Sequence, residues 1–476
     1  MLKYLLCLNI ITLIILQSCT TGVESKIDNF LKWYTDKDLF SGVVLYAEGG
    51  KITYNKAFGF ANHEDSIVNT IETKFNIGSL NKDFTNVIIL QLLAEDSLKL
   101  DDPIGKYVGG FDKKILEWIT IRHLIRHEGG FGDYGMHPDY QKDHKKYKSI
   151  DDILNLVISE PLLFKPGTDL YYSNSGFIIL GKIIENITNK PYADVLQHRI
   201  FDPLDMKNTY YSNLDTLTNK ATGYMKSATG KLINSIQFED YANPAGGCYS
   251  TTDDLFKFYN TLENTDLLLT DPYKKIMYVN ANPDIKLTWE KIITDETIFN
   301  AKAGGLEGFN AMVIEWMVKG EIAIVLSNYD EPIAENVGKG IFSIMRNLEP
   351  EKPKTPVRQY VYNILQQFGY EYISVHYDSL MKSQNYQYED PWLLNQVGYD
   401  LLHEKLFEEA IHIFRLNVKR YPKLANPYDS LGEAYMMAGE NELAIENYVK
   451  SLELDPKNQN AVKMITKLKM KDHNSL

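Results

Sequence analysis

The chain has 476 residues, 44% of them hydrophobic and 24% charged, enough to bury a large core and to hold two or three domains. Its formal net charge is −13, and its basic residues are scattered among acidic ones, which excludes the phosphate-neutralising surface of a nucleic-acid binder.

Met1-Leu2-Lys3 gives a short positive start, and the apolar run from Tyr4 to Leu16 is too short to span a bilayer comfortably. The run ends in Leu16-Gln17-Ser18-Cys19, which resembles the lipobox of bacterial lipoproteins. That resemblance implies a signal peptide over residues 1–18, cleavage before Cys19, lipidation of its thiol and an exported protein held to a membrane of the cell envelope. The alternative is a plain secretory signal with a chance cysteine. Cys7 would leave with the signal and Cys19 would carry lipid, so Cys248 alone remains and no internal disulfide can form.

Two strand-like runs open the mature chain, Ser41 to Ala47 and Lys51 to Phe58, joined by the turn Glu48-Gly49-Gly50. A second hairpin is predicted far downstream, Phe309 to Val318 and Glu321 to Asn328, joined by Lys319-Gly320. Helical periodicity dominates between them, at Phe84 to Ala94, Ile121 to Arg126, Ile150 to Ile158 and Gly176 to Asn186. Strands at both ends with helices inserted between predict an α+β domain over residues 19–347, its sheet antiparallel and built from distant segments.

Residues 348–356 (LEPEKPKTP) are rich in proline and charge and read as a linker. A helical connector is expected over 357–390. From 391 to 476 the sequence repeats itself: Gly398 recurs as Gly432, Ala410 as Ala444, Phe414 as Tyr448 and Pro422 as Pro456, each at a spacing of 34. This resembles two tetratricopeptide repeats and a capping helix from Gln459, an all-α domain that could take a protein partner.

The tetrapeptide YYSN occurs twice, ending at Asn174 and at Asn213, and the flanking residues separate the two copies. The first follows Pro166-Gly167-Thr168 and precedes an apolar helix. The second follows Pro203-Leu204-Asp205-Met206 and reads as a structural turn, so Tyr211 is assigned no chemistry. Upstream, Gly78-Ser79-Leu80-Asn81-Lys82 sets a serine and a lysine three residues apart at a helix start, on one face and within mutual reach. A hydroxyl needs such a neighbouring base to become a nucleophile. The spacing alone is weak, since Ser379-Leu380-Met381-Lys382 has it too.

Ser79 to Lys82, then Leu100-Asp101-Asp102-Pro103, Ile119 to Leu124, Tyr172-Ser173-Asn174 and Lys302-Ala303-Gly304-Gly305 follow in the order found in serine β-lactamases and penicillin-recognising enzymes. The chain resembles the class C, carboxypeptidase and esterase branch of that family. The resemblance implies a β-lactamase/transpeptidase-like fold and a serine hydrolase that works through an acyl-enzyme without a metal or organic cofactor. Ser79 would be the nucleophile, and Lys82 and Tyr172 would share the proton, the phenol's pKa being lowered by Lys82 and Lys302. Asn174 would donate to a substrate amide and Lys302 would attract a substrate carboxylate. The N–H groups of Ser79 and Gly305, with Gly304 beside them, would hold the oxyanion. Implied substrates are D-amino-acid peptides, small esters or amides, and β-lactams.

Two departures bear on β-lactams. Ala303 replaces the usual hydroxyl residue, and His127-Glu128-Gly129-Gly130 is expected to set a carboxylate at the site's mouth. His123 and His127 have helical spacing but no third ligand, and read as structural. Buried Cys248 and the helix-start pair Asp253-Asp254 read likewise. The rival reading is a retired penicillin-binding scaffold that works as an interaction module through its repeats.

Overall fold

The computed structural model describes residues 22–211, 216–280 and 288–473. Residues 1–18, read from sequence as a signal peptide, and Cys19, Ser212 and Asn213 lie outside the described residues. The chain divides into two compact units, one of residues up to Met225 with Asn234–Pro353, the other of Lys226–Ile233 with Lys354 onward. No helix among the described residues is long and apolar enough to cross a membrane.

The first unit is built on a five-stranded sheet. Its strands are β1 (Gly42–Glu48), β2 (Lys51–Phe58), β3 (Asn300–Leu306), β4 (Phe309–Trp316) and β5 (Glu321–Ser327), in the order β2-β1-β5-β4-β3. Every neighbouring pair is antiparallel, and β1 meets β5 from Gly42↔Ser327 to Glu48↔Glu321. The N-terminal and C-terminal hairpins thus close one sheet across most of the domain, as the α+β reading expects.

Side chains alternate across each strand. Val44, Tyr46, Met312, Ile314 and Val325 form one apolar layer with helix α1 (residues 22–35) and with α4 (Ile333–Met345). Val43, Leu45, Val313 and Ile324 face the opposite layer, where α2 (Asn81–Ala94) and α3 (Asn174–Thr188) belong to a larger helical mass. With both faces covered, β4 and β5 are buried along their whole length. Such strands read as continuous apolar runs.

Residues 348–356 carry no regular secondary structure. In the second unit, α5 (Val357–Ser383) breaks its helical geometry at Gly369, φ +77°. Then follow α6 (Pro391–His403), α7 (Phe407–Arg420), α8 (Ala425–Ala438), α9 (Asn441–Leu454) and α10 (Gln459–His473). The starts of α6 and α8, and of α7 and α9, are 34 residues apart, so two helix pairs repeat in the predicted register. The turn over 226–233 is integrated into this unit, although its position in sequence put it inside the 19–347 domain. Ala228 is buried in the helical core, its N–H donates to Asp400 (2.8 Å), and the Thr229 hydroxyl donates to Glu404 (2.9 Å).

The repeat glycines are there for close approach. A Cβ on Gly398 would lie 2.5 Å from the fully buried ring of Phe414, and one on Gly432 would lie 3.1 Å from Tyr448. The helix propensity gained by replacing glycine is at most about 1 kcal/mol, and smaller for a β-branched residue, less than the roughly 1–3 kcal/mol cost of overpacking a core. Gly398→Val is therefore expected to lower the denaturant midpoint of the helical unit, followed by far-ultraviolet circular dichroism. An unchanged midpoint would contradict this packing.

Candidate active site

The Ser79–Lys82 motif is set by backbone geometry. Phe75-Asn76 pairs with Tyr249-Ser250, and Asn76 Oδ1 accepts the N–H of Gly78 (2.9 Å) where the chain turns into α2. Gly78 has φ +49°, and its absent Cβ would meet Gly305 N at 2.6 Å. A Cβ on Gly304 would lie 2.1 Å from Ile77 O and 2.9 Å from Ser79 N. Two glycine-bearing backbones therefore touch, and the N–H-bearing stretch of edge strand β3 lies against Ser79.

Ser79 stands on a single 3₁₀ turn, Gly78–Leu80, that runs into α2. Lys82 Nζ is 2.9 Å from Ser79 Oγ and donates to the carbonyl of Ala245 (2.7 Å). Burial holds the Lys82 pKa down to about 7, against the opposing pull of the Asp133 and Asp83 carboxylates. A substantial fraction of neutral amine, able to take a proton from Ser79, is thus present near neutral pH.

Tyr172 comes from the loop before α3, and its hydroxyl donates to Ser79 Oγ (2.8 Å). The His127 ring stacks on the phenol at 4.6 Å, and its Nδ1 accepts the N–H of Ser173 (3.1 Å). Burial, then the Lys82 charge, lowers the His127 pKa to about 4, so the stacking imidazole is neutral. The Tyr172 ring is half exposed, but its hydroxyl end is enclosed beside Ser79, and that enclosure governs its ionisation.

The phenol's pKa corrects the sequence expectation. Burial first, then the charges of Asp133, Glu331 and Asp83, push it up to about 12, although the Ser79 hydrogen bond opposes them. The lysines do not lower it, because Lys82 sits near neutrality and Lys302 is engaged elsewhere. Lys302 Nζ is ion-paired with Asp83 (2.8 Å) and Glu315 (3.4 Å), between the rings of Tyr259 and Tyr278. The part assigned to Lys302, attracting a substrate carboxylate, is corrected too: its charge is neutralised in the interior and it does not line the cleft.

The cleft of about 150 Å³ is lined by Ser79, Asn174, Gly305 and several residues that sequence reasoning missed, Asp133 first among them. Asn174 donates its Nδ2 to Asp133 (2.7 Å), and Gly135 N–H donates to the other oxygen of that carboxylate (2.9 Å). The only hint in the sequence was an acidic residue inside the glycine-rich run Gly129 to Gly135. Glu128, expected at the mouth, is instead paired with Arg126 (2.9 Å). His123 caps its own helix, accepting the N–H of Thr120 on Nδ1. Tyr211 packs on Tyr192 (5.1 Å), Cys248 is buried, and the Ser379 hydroxyl donates to a helix carbonyl, His376 O (2.8 Å).

Residues 23–287 match the family model described as Beta-lactamase, more than half of the chain. A teichoic acid D-alanine hydrolase of Staphylococcus aureus is 30% identical over 263 residues, 54% of this chain and 63% of that protein. The chain thus spans less than two thirds of that relative's length. Penicillin-binding protein 4* of Bacillus subtilis is 28% identical over 317 residues, 62% of this chain and 70% of that one. In fold, the chain is similar to an octameric penicillin-binding protein homologue from Pyrococcus abyssi. The TM-score is 0.61 and the identity 24%, over 72% of this chain and 81% of the other.

The ionisation of Lys82 yields a pH dependence. Its ammonium form cannot accept the Ser79 proton, so reactivity should be low below a pH of about 7 and rise through it to a plateau. The rate of fluorophosphonate labelling against pH measures this. A rate that climbs only near the ordinary lysine range would refute the neutral-amine assignment.

Proposed function

This chain belongs to the β-lactamase family, and we propose that it is an exported serine hydrolase acting through an acyl-enzyme on D-amino-acid esters, amides or peptides. The observation that carries this reading is Ser79 Oγ, within hydrogen-bond distance of both Lys82 Nζ and Tyr172 OH, against the glycine stretch of β3. Ser79 Oγ attacks the substrate carbonyl carbon while its proton passes to the neutral Lys82 amine. The oxygen's developing charge is taken by the N–H groups of Ser79 and Gly305. Tyr172, a protonated phenol, gives its proton to the departing alcohol or amine and regains one from Lys82. Water then attacks the ester on Ser79 by the reverse relay, releasing the acid.

The teichoic acid D-alanine hydrolase among the relatives supports a small D-aminoacyl group. β-Lactams are disfavoured, since Lys302 is paired and Ala303 offers no hydroxyl to their carboxylate. The intact serine–lysine–tyrosine contact speaks against a retired scaffold. We read the two 34-residue helix pairs as tetratricopeptide repeats that recruit a protein partner, and Cys19 as the lipid-bearing residue of the mature N-terminus.

Mass spectrometry after fluorophosphonate treatment should find Ser79 as the modified serine, and Ser79→Ala should abolish ester hydrolysis. A label on Ser173 or Ser379 would sink the assignment. Lys82→Ala and Tyr172→Phe should each cost about 10²–10⁴-fold in kcat. Because they form one proton relay, the double variant should lose little more than the worse single one. Multiplicative losses would mean that the two act separately.

A further inference from the structure

The cleft around Ser79 has the wrong charge for a carboxylate-bearing substrate. Its lining includes two carboxylates, Asp133 and Asp240, while Lys82, the amine that reaches Ser79 Oγ (2.9 Å), donates to the Ala245 carbonyl and has its pKa held down to about 7 by burial. A third carboxylate, Glu331, lies against β3, where a Cβ on Gly305 would fall 1.6 Å from its Oε1. Lys302, the cation that family resemblance places here, is spent on Asp83 and Glu315. Near Asp240 are the His144 ring, with Nε2 3.6 Å from Oδ1 and outside hydrogen-bond range, and Lys145, and neither lines the cleft.

The orientation of Asn174 sharpens this. An ionised carboxylate only accepts hydrogen bonds, so the Asn174 amide must turn its Nδ2 to Asp133, as it does. The Asn174 Oδ1 is thereby left as an acceptor, the reverse of the donor role expected from sequence, and no donor from the described residues reaches it. Asp133 is held by the N–H groups of Gly135 and Asn174 as well, so its charge is fixed in place beside the nucleophile. Asp240 lines the same cleft; its Oδ1 is buried with no hydrogen-bond donor in range among the described residues, and burial raises the carboxyl's pKa, with Tyr140 opposing. Acceptors and negative charge thus converge on a cleft that contains the nucleophile.

We propose that Asp133 and Asn174 Oδ1, reinforced by the charge of Asp240, bind the free ammonium of an α-aminoacyl ester or amide and so select substrates with an unblocked amine. This rests on the reading of Ser79 as the acylated nucleophile. The ammonium lies one carbon from the scissile carbonyl, so a group that holds it also sets the carbonyl over Ser79. An N-acylated residue, as within a peptide, has neither the charge nor the three donors of an ammonium and leaves these acceptors unpaired, which is the strong form of discrimination. A substrate carboxylate meets repulsion.

The test compares kcat/KM for D-alanine methyl ester and N-acetyl-D-alanine methyl ester with the full-length protein. Near pH 7 an α-amino group of pKa ~7.7–8.0 is still protonated. The wild-type protein should favour the free amine by at least about tenfold, and Asp133→Asn and Asp240→Asn should each shrink that ratio severalfold. Asp133 also orients Asn174, so a structural defect is separated by the ratio: it would depress both esters together and leave their ratio unchanged. Equal rates on the two esters, a preference for the blocked one, or an unaltered ratio in both variants would overturn the proposal. So would inertness toward both esters in a protein whose Ser79 still takes fluorophosphonate. Absence of any labelling at Ser79 would instead refute the serine hydrolase reading beneath it.

Discussion

Everything at this site depends on a lysine amine buried without a carboxylate of its own. Lys82 has one strong acceptor, the neutral carbonyl of Ala245, and Ser79 on its other side. The next residue in sequence, Asp83, could have supplied a counter-charge, but successive helix positions point about 100° apart. Asp83 faces Lys302 and accepts from Tyr259 instead (3.0 Å). An amine paired directly with a carboxylate would stay an ammonium and could not take the serine's proton. Lys302 thus neutralises Asp83 on a side of α2 that Lys82 does not share.

That charge arrangement needs two chain segments more than two hundred residues apart to meet at backbone contact. Side chains at Gly78, Gly304 or Gly305 would hold them apart, and each position has a specific obstacle: Gly305 N, Ile77 O and the Glu331 carboxylate respectively. β3 can come so close because it is the edge strand, with one side not committed to a neighbour. The sheet fixes β3 through its register with β4, and α2 is fixed by its apolar packing under the same sheet. The precision of the site thus comes from the core, and its flanking loops add the acidic groups.

Much of this was legible in the sequence because it is local. The serine–lysine spacing, the hairpins and the 34-residue repeat each rest on a few neighbouring residues or on periodicity. What could not be read depends on which distant groups the fold brings near. Asp133 and Asn174 are 41 residues apart and meet only when the loop after Ile125 packs on the start of α3. Glu128 was expected at the site's mouth from its place in His127-Glu128-Gly129-Gly130, yet its side chain turns to Arg126. The phenol's ionisation was misjudged by counting nearby lysines, when burial and the partners of those lysines decide the local potential. The turn over 226–233 joins helices that begin well over a hundred residues later, and no linear boundary shows that.

The two copies of YYSN make the same point in one comparison. In the first, Ser173 caps α3, accepting the N–H of Gly176 (3.4 Å) and donating to Gly132 O (2.8 Å). The cap itself is extended, φ −133° and ψ 117°, and Tyr172 just ahead of it reaches Ser79 with its hydroxyl (2.8 Å). In the second, Tyr210 is bridged to Tyr249 by two backbone hydrogen bonds (2.8 and 2.9 Å). Residues alternate across such a bridge, so the next ring, Tyr211, turns inward to pack on Tyr192. Burial then raises its pKa well above the ordinary range, and it stays a neutral core residue. The two tyrosine pairs acquire opposite fates because the first runs into a helix at the rim of the cleft and the second sits in an extended pairing over the core.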